Sequence, residues 1–143
     1  MVDPVRDAES GLLNEHYFDA ALPNRVATAR RVLRPLAIGV IAVGEGAPPA
    51  TVASALTTAL RESDTACRLH DGRYAVLLED TPEDGARHTL ERVVALLGDG
   101  PAWAGVACYP AHALDVAELR ALADAALDRA RTSASPTVAT AGV

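Results

Sequence analysis

The sequence predicts an α+β domain built on a ferredoxin-like βαββαβ core, and three observations predict it. A continuous apolar run from Leu36 to Val43 suits a strand buried on both faces. Two strand-like runs, Ala66 to Leu69 and Tyr74 to Leu78, flank Asp71-Gly72, a dipeptide suited to a tight two-residue hairpin because both central residues can take positive φ. Helical stretches separate these runs from one another and from a further strand at Trp103 to Tyr109, giving the order β-α-β-β-α-β-α. Chain order of this kind folds into an antiparallel sheet with helices packed on one face.

Leu12, Leu13, Tyr17, Phe18, Ala21 and Leu22 recur at helical spacing, with Pro23 expected to end or kink the helix before it continues through Arg31. This defines an N-terminal helical arm over 1–34, ahead of a core over 35–132. Pro48 and Pro49 introduce a helix carrying Val52, Ala53, Leu56 and Leu60 on one face. Thr81-Pro82 reads as an N-cap followed by Pro at the first helical position, opening a helix that Gly98 and Gly100 close. Asp115 with Glu118 three residues on forms a capping-box pattern before a helix that reaches Arg131. The 133–143 tail is small and polar and is expected to fray.

The 143 residues are 50% hydrophobic and 22% charged, which fits one globular domain with a core of Ala, Val and Leu, since aromatics make up only 3%. Scarce aromatics and a net charge of -6 argue against nucleic acid as a partner. No apolar run is long enough to span a bilayer and Met1-Val2-Asp3-Pro4 lacks the regions of a signal peptide, so a cytoplasmic protein without a membrane partner is expected. Cys67 and Cys108 lack metal-type spacing and sit in apolar strand-like contexts, which makes them reduced structural thiols, placed on strands too distant for a disulfide.

Arg61-Glu62-Ser63-Asp64, then five residues, then His70-Asp71-Gly72-Arg73-Tyr74 resembles the signature region of the GGDEF (diguanylate cyclase) family, in which an R-x-x-D pair precedes a Gly-Gly-Asp/Glu-Glu-Phe hairpin at that spacing. Asp7 to Asn14 (DAESGLLN) is similar to the family's opening D-x-L-T-G-L-x-N, and Ala123-Asp124-Ala125-Ala126-Leu127 to its closing A-D-x-A-L. The resemblance implies a palm-like nucleotide-cyclase core. It also implies a lost activity. Members hold two divalent cations with carboxylates at the end of the first strand and on the hairpin. The corresponding positions here are Ala42-Val43-Gly44 and Gly72-Arg73. The family's nucleotide-placing segment after the first strand is reduced to Glu45 to Pro49. No catalytic residue, metal site or cofactor is therefore expected, and the chain is read as a degenerate, non-enzymatic member.

The R-x-x-D pair is the family's inhibitory site for cyclic di-GMP, in which a planar guanidinium grips phosphate and guanine edges. The resemblance assigns Arg61, Asp64 and Arg68 to that ligand, with Arg92 of Leu90-Glu91-Arg92-Val93 as a further candidate. Arg61 and Asp64 are expected at a helix end, sharing a face and open to solvent. A cyclic di-GMP sensor that pairs as a homodimer or acts on a protein effector is the leading function. A ligand-free interaction or dimerisation domain, in which Arg61 and Asp64 form only an exposed ion pair, is the alternative. His16, His70, His88 and His112 show no ligand spacing, and Ser10 and Ser63 sit in capping or turn contexts, so none is assigned chemistry.

Overall fold

The computed structural model describes residues 3–98, 100–133 and 137–142. The chain runs β1 (Leu13–Asn14), α1 (Glu15–Val32), β2 (Leu36–Val43), α2 (Pro49–Ala59), β3 (Thr65–Arg68), β4 (Tyr74–Glu79), α3 (Glu83–Leu96), β5 (Ala102–Tyr109), α4 (Val116–Thr132) and β6 (Val138–Thr140). One sheet has the order β1-β3-β4-β2-β5-β6. Its middle four strands pair antiparallel, while β1 lies parallel to β3 and β6 parallel to β5. The βαββαβ core is the one the sequence predicts.

Helices cover both faces of the sheet, not one. β2 shows why, because its run of apolar residues has no solvent side: Ile38 and Val40 pack with Phe18 and Leu22 of α1 and Leu119 of α4, while Ala37 and Ile41 pack with Leu56 of α2 and Leu90 of α3. Gly105 on β5 sets the approach of α4. A Cβ there would fall on the backbone of Ala123 and Leu127, so only glycine lets this helix sit so close. Cys67 belongs to the α1/α4 side and Cys108 to the α2/α3 side, both buried and free, with two strands between them.

Four local expectations are corrected. Pro23 does not interrupt α1, because it lies on the exposed side while Phe18, Ala21, Leu22, Val26 and Ala29 hold the helix on the sheet. The helix begins after β1, with Asn14 as N-cap accepting from Tyr17 N at 3.0 Å. The hairpin has a three-residue loop, His70 to Gly72. Leu69 N–H donates to Arg73 O at 2.7 Å and Gly72 N–H to Leu69 O at 3.0 Å, and only Gly72 takes positive φ (88°). The fraying expected of the 133–143 tail does not describe 137–142, where Val138, Thr140 and Ala141 are buried and β6 extends the sheet; Ala134 to Pro136 and Val143 lie outside the described residues. Among the described residues no helix is long and apolar enough to cross a membrane.

Candidate functional site

α2 ends at Ala59 and the chain enters β3 through a turn in which Asp64 N–H donates to Arg61 O at 3.0 Å. Arg61 and Asp64 therefore stand at the two ends of a β-turn and not on one helix face. The exposure expected for Asp64 is also corrected, since its side chain is only 3% exposed, while Arg61 is open to solvent as expected at 57%. Burial of this carboxylate follows from what it accepts. Its oxygens take the Arg61 backbone N–H at 3.0 Å, Arg61 Nε and Nη2 at 3.4 and 3.3 Å, and the Glu79 backbone N–H at 3.3 Å. Arg61 Nη2 also donates to Thr81 Oγ1 at 2.9 Å and to the Glu79 carbonyl oxygen. Thr81 is thus no helix cap: its hydroxyl donates to Glu79 O at 2.8 Å, and α3 opens on Pro82 with no side-chain cap. One edge of the guanidinium is held by protein, while Nη1 has no partner among the described residues.

Arg61, Asp64 and Thr81 form one side of an open groove of about 380 Å³ whose other side is α3. Gly85, His88, Thr89 and Arg92 of α3 reach it together because positions three and four apart share a helix face. His88 and Arg92 are exposed, and neither has a hydrogen-bond or ion-pair partner among the described residues. The groove therefore collects two guanidinium groups and one imidazole around a buried carboxylate already in use. Arg92 was legible as a candidate. His88 was passed over, although its position four residues before Arg92 was a signal.

Arg68 lies elsewhere. It pairs with Tyr74 across the ladder, five residues along β4 from Glu79, roughly 16 Å from the end that holds Arg61. Its Nη1 is 2.9 Å from Glu9 Oε1 and 3.4 Å from Asp7 Oδ2, and its guanidinium stands 5.9 Å from the Tyr74 ring centre. Burial works against the charge of Arg68, but the Glu9 hydrogen bond, the Tyr74 oxygen and Asp7 outweigh it, and its pKa is raised. Burial likewise opposes ionisation of Asp7, yet hydrogen bonds from Ser10 and Arg68 carry its pKa below the usual value. Arg68 joins the N-terminal loop to β3.

The hairpin end is closed by charge pairs. Arg73 Nε donates to Asp71 Oδ2 at 2.7 Å and Nη1 to Asp124 Oδ1 of α4 at 3.0 Å. Burial raises the Asp71 pKa less than the Arg73 bonds lower it, so the carboxyl ends below its ordinary value. Ile41 pairs with Tyr74, which brings the end of β2 alongside the hairpin. Among the described residues no three His, Cys, Asp or Glu side chains form a group able to hold a metal ion. His112, assigned no role from sequence, proves structural: its Nδ1 accepts from Cys108 N–H at 2.9 Å and its Nε2 lies 3.4 Å from Glu83.

A family profile described as "Diguanylate cyclase, GGDEF domain" matches residues 50–135. A search of curated proteins found no match. Among solved structures, the GGDEF domain of YfiN (TpbB) from Pseudomonas aeruginosa is 26% identical with a TM-score of 0.83, over 95% of this chain and 94% of that one. The GGDEF domain of DgcB from Caulobacter crescentus, solved in complex with c-di-GMP, is 19% identical with a TM-score of 0.87, over 100% and 99% of the two chains. Diguanylate cyclase SiaD from Pseudomonas aeruginosa, solved with its activator SiaC, is 21% identical with a TM-score of 0.85; the match covers 96% of this chain and 62% of SiaD.

Proposed function

The chain belongs to the GGDEF family of diguanylate cyclase domains, and on that premise we propose that it is a catalytically inactive member that binds cyclic di-GMP in the groove between Arg61 and Arg92. One observation carries the proposal. The guanidinium of Arg61 is fixed along one edge by the buried Asp64 and faces the unpaired Arg92 across an open groove. Two such groups suit two phosphodiesters and the acceptor edge of a guanine, and fixing Arg61 in advance lowers the ordering cost of binding. The DgcB domain, alike in fold, was solved with that ligand. Asp64 supports the site by holding Arg61, and Arg68 has no part in it because Asp7 and Glu9 occupy it.

Inactivity rests on the hairpin end. Two-metal condensation of GTP needs carboxylates that grip both cations. The end of β2 carries Ala42 and Val43, and the hairpin end carries Gly72 in the loop and Arg73 just after it, whose charge repels cations and already satisfies Asp71 and Asp124. Calorimetry with cyclic di-GMP tests the binding. Micromolar affinity is expected, falling by about 1.5–3 kcal/mol in both Arg61→Ala and Arg92→Ala and unchanged in Arg31→Ala. Silence at a hundred-micromolar ligand on the order of this affinity scale overturns it. A ligand-free interaction or dimerisation domain is then the second reading, favoured by Val32 and Leu33, which stand 49% and 88% exposed at the end of α1.

A further inference from the structure

We infer that His88 makes phosphate binding in this groove proton-coupled: the imidazole takes up a proton from solvent when an anionic phosphodiester arrives and becomes a third cation between Arg61 and Arg92. The inference rests on the groove being the ligand site. His88 lines it one turn of α3 before Arg92, on the same face. Both ring nitrogens lack partners among the described residues. His112 differs in this respect, because Cys108 N–H occupies its Nδ1 and Glu83 stands at its Nε2. A free imidazole beside an incoming phosphate can present N–H to it, and the charged form does so more strongly.

The surrounding charges decide the direction. From the turn after α2, Arg61 faces the groove, while the Asp64 carboxylate is spent on Arg61 and Glu79 N–H. From the end of β4, Asp80 is paired with Arg34 at 3.2 Å. On α3 itself Asp84 is paired with Arg87 at 3.2 Å, Glu91 is exposed, and Arg92 lines the groove four residues on. Asp64, Asp80 and Asp84 are thus each engaged by an arginine, which leaves the groove's positive groups open to an anion. Phosphodiesters add negative charge at the groove, and that charge favours a proton on the imidazole beside it. Binding should therefore strengthen as pH falls, a response the two arginines cannot supply because they do not titrate in this range.

The test is calorimetry of the full chain with cyclic di-GMP at pH 6 and pH 8, each in two phosphate-free buffers of different ionisation enthalpy, with wild type and His88→Gln. Neither the phosphodiester nor the guanine titrates between these values. Wild type should bind about 5–10-fold more tightly at pH 6 and take up protons on binding; a one-unit rise in the imidazole pKa corresponds to tenfold. His88→Gln should bind with the wild-type pH 8 affinity at both values and take up none. Binding that is flat with pH in wild type, or a slope that survives in His88→Gln, overturns the inference and leaves the sensing function standing. No binding at either pH removes both.

Discussion

Asp64→Ala tests the groove at the point where structure and sequence disagree most. The spacing alone makes Asp64 half of an exposed ion pair of a few tenths of a kcal/mol, so its loss would scarcely register. In the fold the carboxylate is 3% exposed and accepts from Arg61 N, Arg61 Nε and Nη2, and Glu79 N. The Arg61 contribution is small, because that side chain is 57% exposed and water competes for it. The Glu79 N–H is partly buried and has no second acceptor at hand, and a charged acceptor for such a group contributes about 1.5–3 kcal/mol. Asp64→Ala should therefore cost about 2–3 kcal/mol in urea unfolding with an unchanged m-value, and lower Tm by about 6–12 °C. Arg61→Ala, which leaves the carboxylate bonded to both backbone donors, should cost about 1 kcal/mol or less. Equal stability of Asp64→Ala and wild type, within about 0.5 kcal/mol, would refute the idea that this carboxylate locks the turn to β4.

Incubation with GTP and Mg²⁺ or Mn²⁺ should yield no cyclic di-GMP, and the double change Ala42→Asp with Gly72→Asp should not restore it, because only Gly44 to Pro48 join β2 to α2 and nothing there places the nucleotide. Chelator-sensitive turnover by the purified chain refutes this. Gly105→Ala should cost about 3 kcal/mol or more, since its methyl would drive α4 off β5; a stable variant in thermal melts would count against that packing. Burial pushes the thiols of Cys67 and Cys108 up to about 12 from an ordinary 9.0, so neither should react with a thiol reagent at pH 8 until the chain unfolds. The same shift has a stability consequence. The unfolded thiols ionise from about 9 upward while the folded ones resist, so stability is fully present below pH 9 and declines from there toward pH 12.

Most of the sheet was legible because apolar period and length report burial directly: Leu36 to Val43 could only be a strand with two covered faces. What covers the second face is not written in any one segment, and α1 and α4 take it because Phe18, Leu22, Leu119 and Leu127 find no other apolar surface. Val138-Ala139-Thr140 carries too short a pattern to signal a strand, and its pairing exists only after β5 is in place. Asp71-Gly72 marked the hairpin but not its length, since Leu69 and Arg73 close the loop one residue earlier than a two-residue turn requires. At the site, Arg61, Asp64 and Arg92 come together as the resemblance implied. Arg68 does not, because spacing along the chain cannot show that Asp7 and Glu9, some sixty residues earlier in sequence on the order set by the fold, reach it first. Thr81 was misread for a similar reason: its hydroxyl suits an N-cap, and the Glu79 carbonyl and Arg61 claim it.

The two ends of the β3–β4 hairpin are held by separate sets of bonds. Four ladder pairs, Thr65 with Leu77 through Arg68 with Tyr74, separate the turn that holds Arg61 from the loop end that carries Arg73. That is roughly 10–13 Å of backbone whose register is set by buried residues on both faces, Cys67, Leu77, Val76 and Leu78 among them. Gly72 and Arg73 stand at the loop end, where the bonds from Arg73 to Asp71 and Asp124 keep its charge satisfied and the hairpin tied to α4. At the far end the Asp64 carboxylate accepts from the backbone N–H groups of Arg61 and Glu79, and no residue of the hairpin loop takes part in those bonds. A groove lined by Arg61, His88 and Arg92 therefore does not depend on metal-binding carboxylates at the hairpin, and each end can be altered by substitution without unfolding the other.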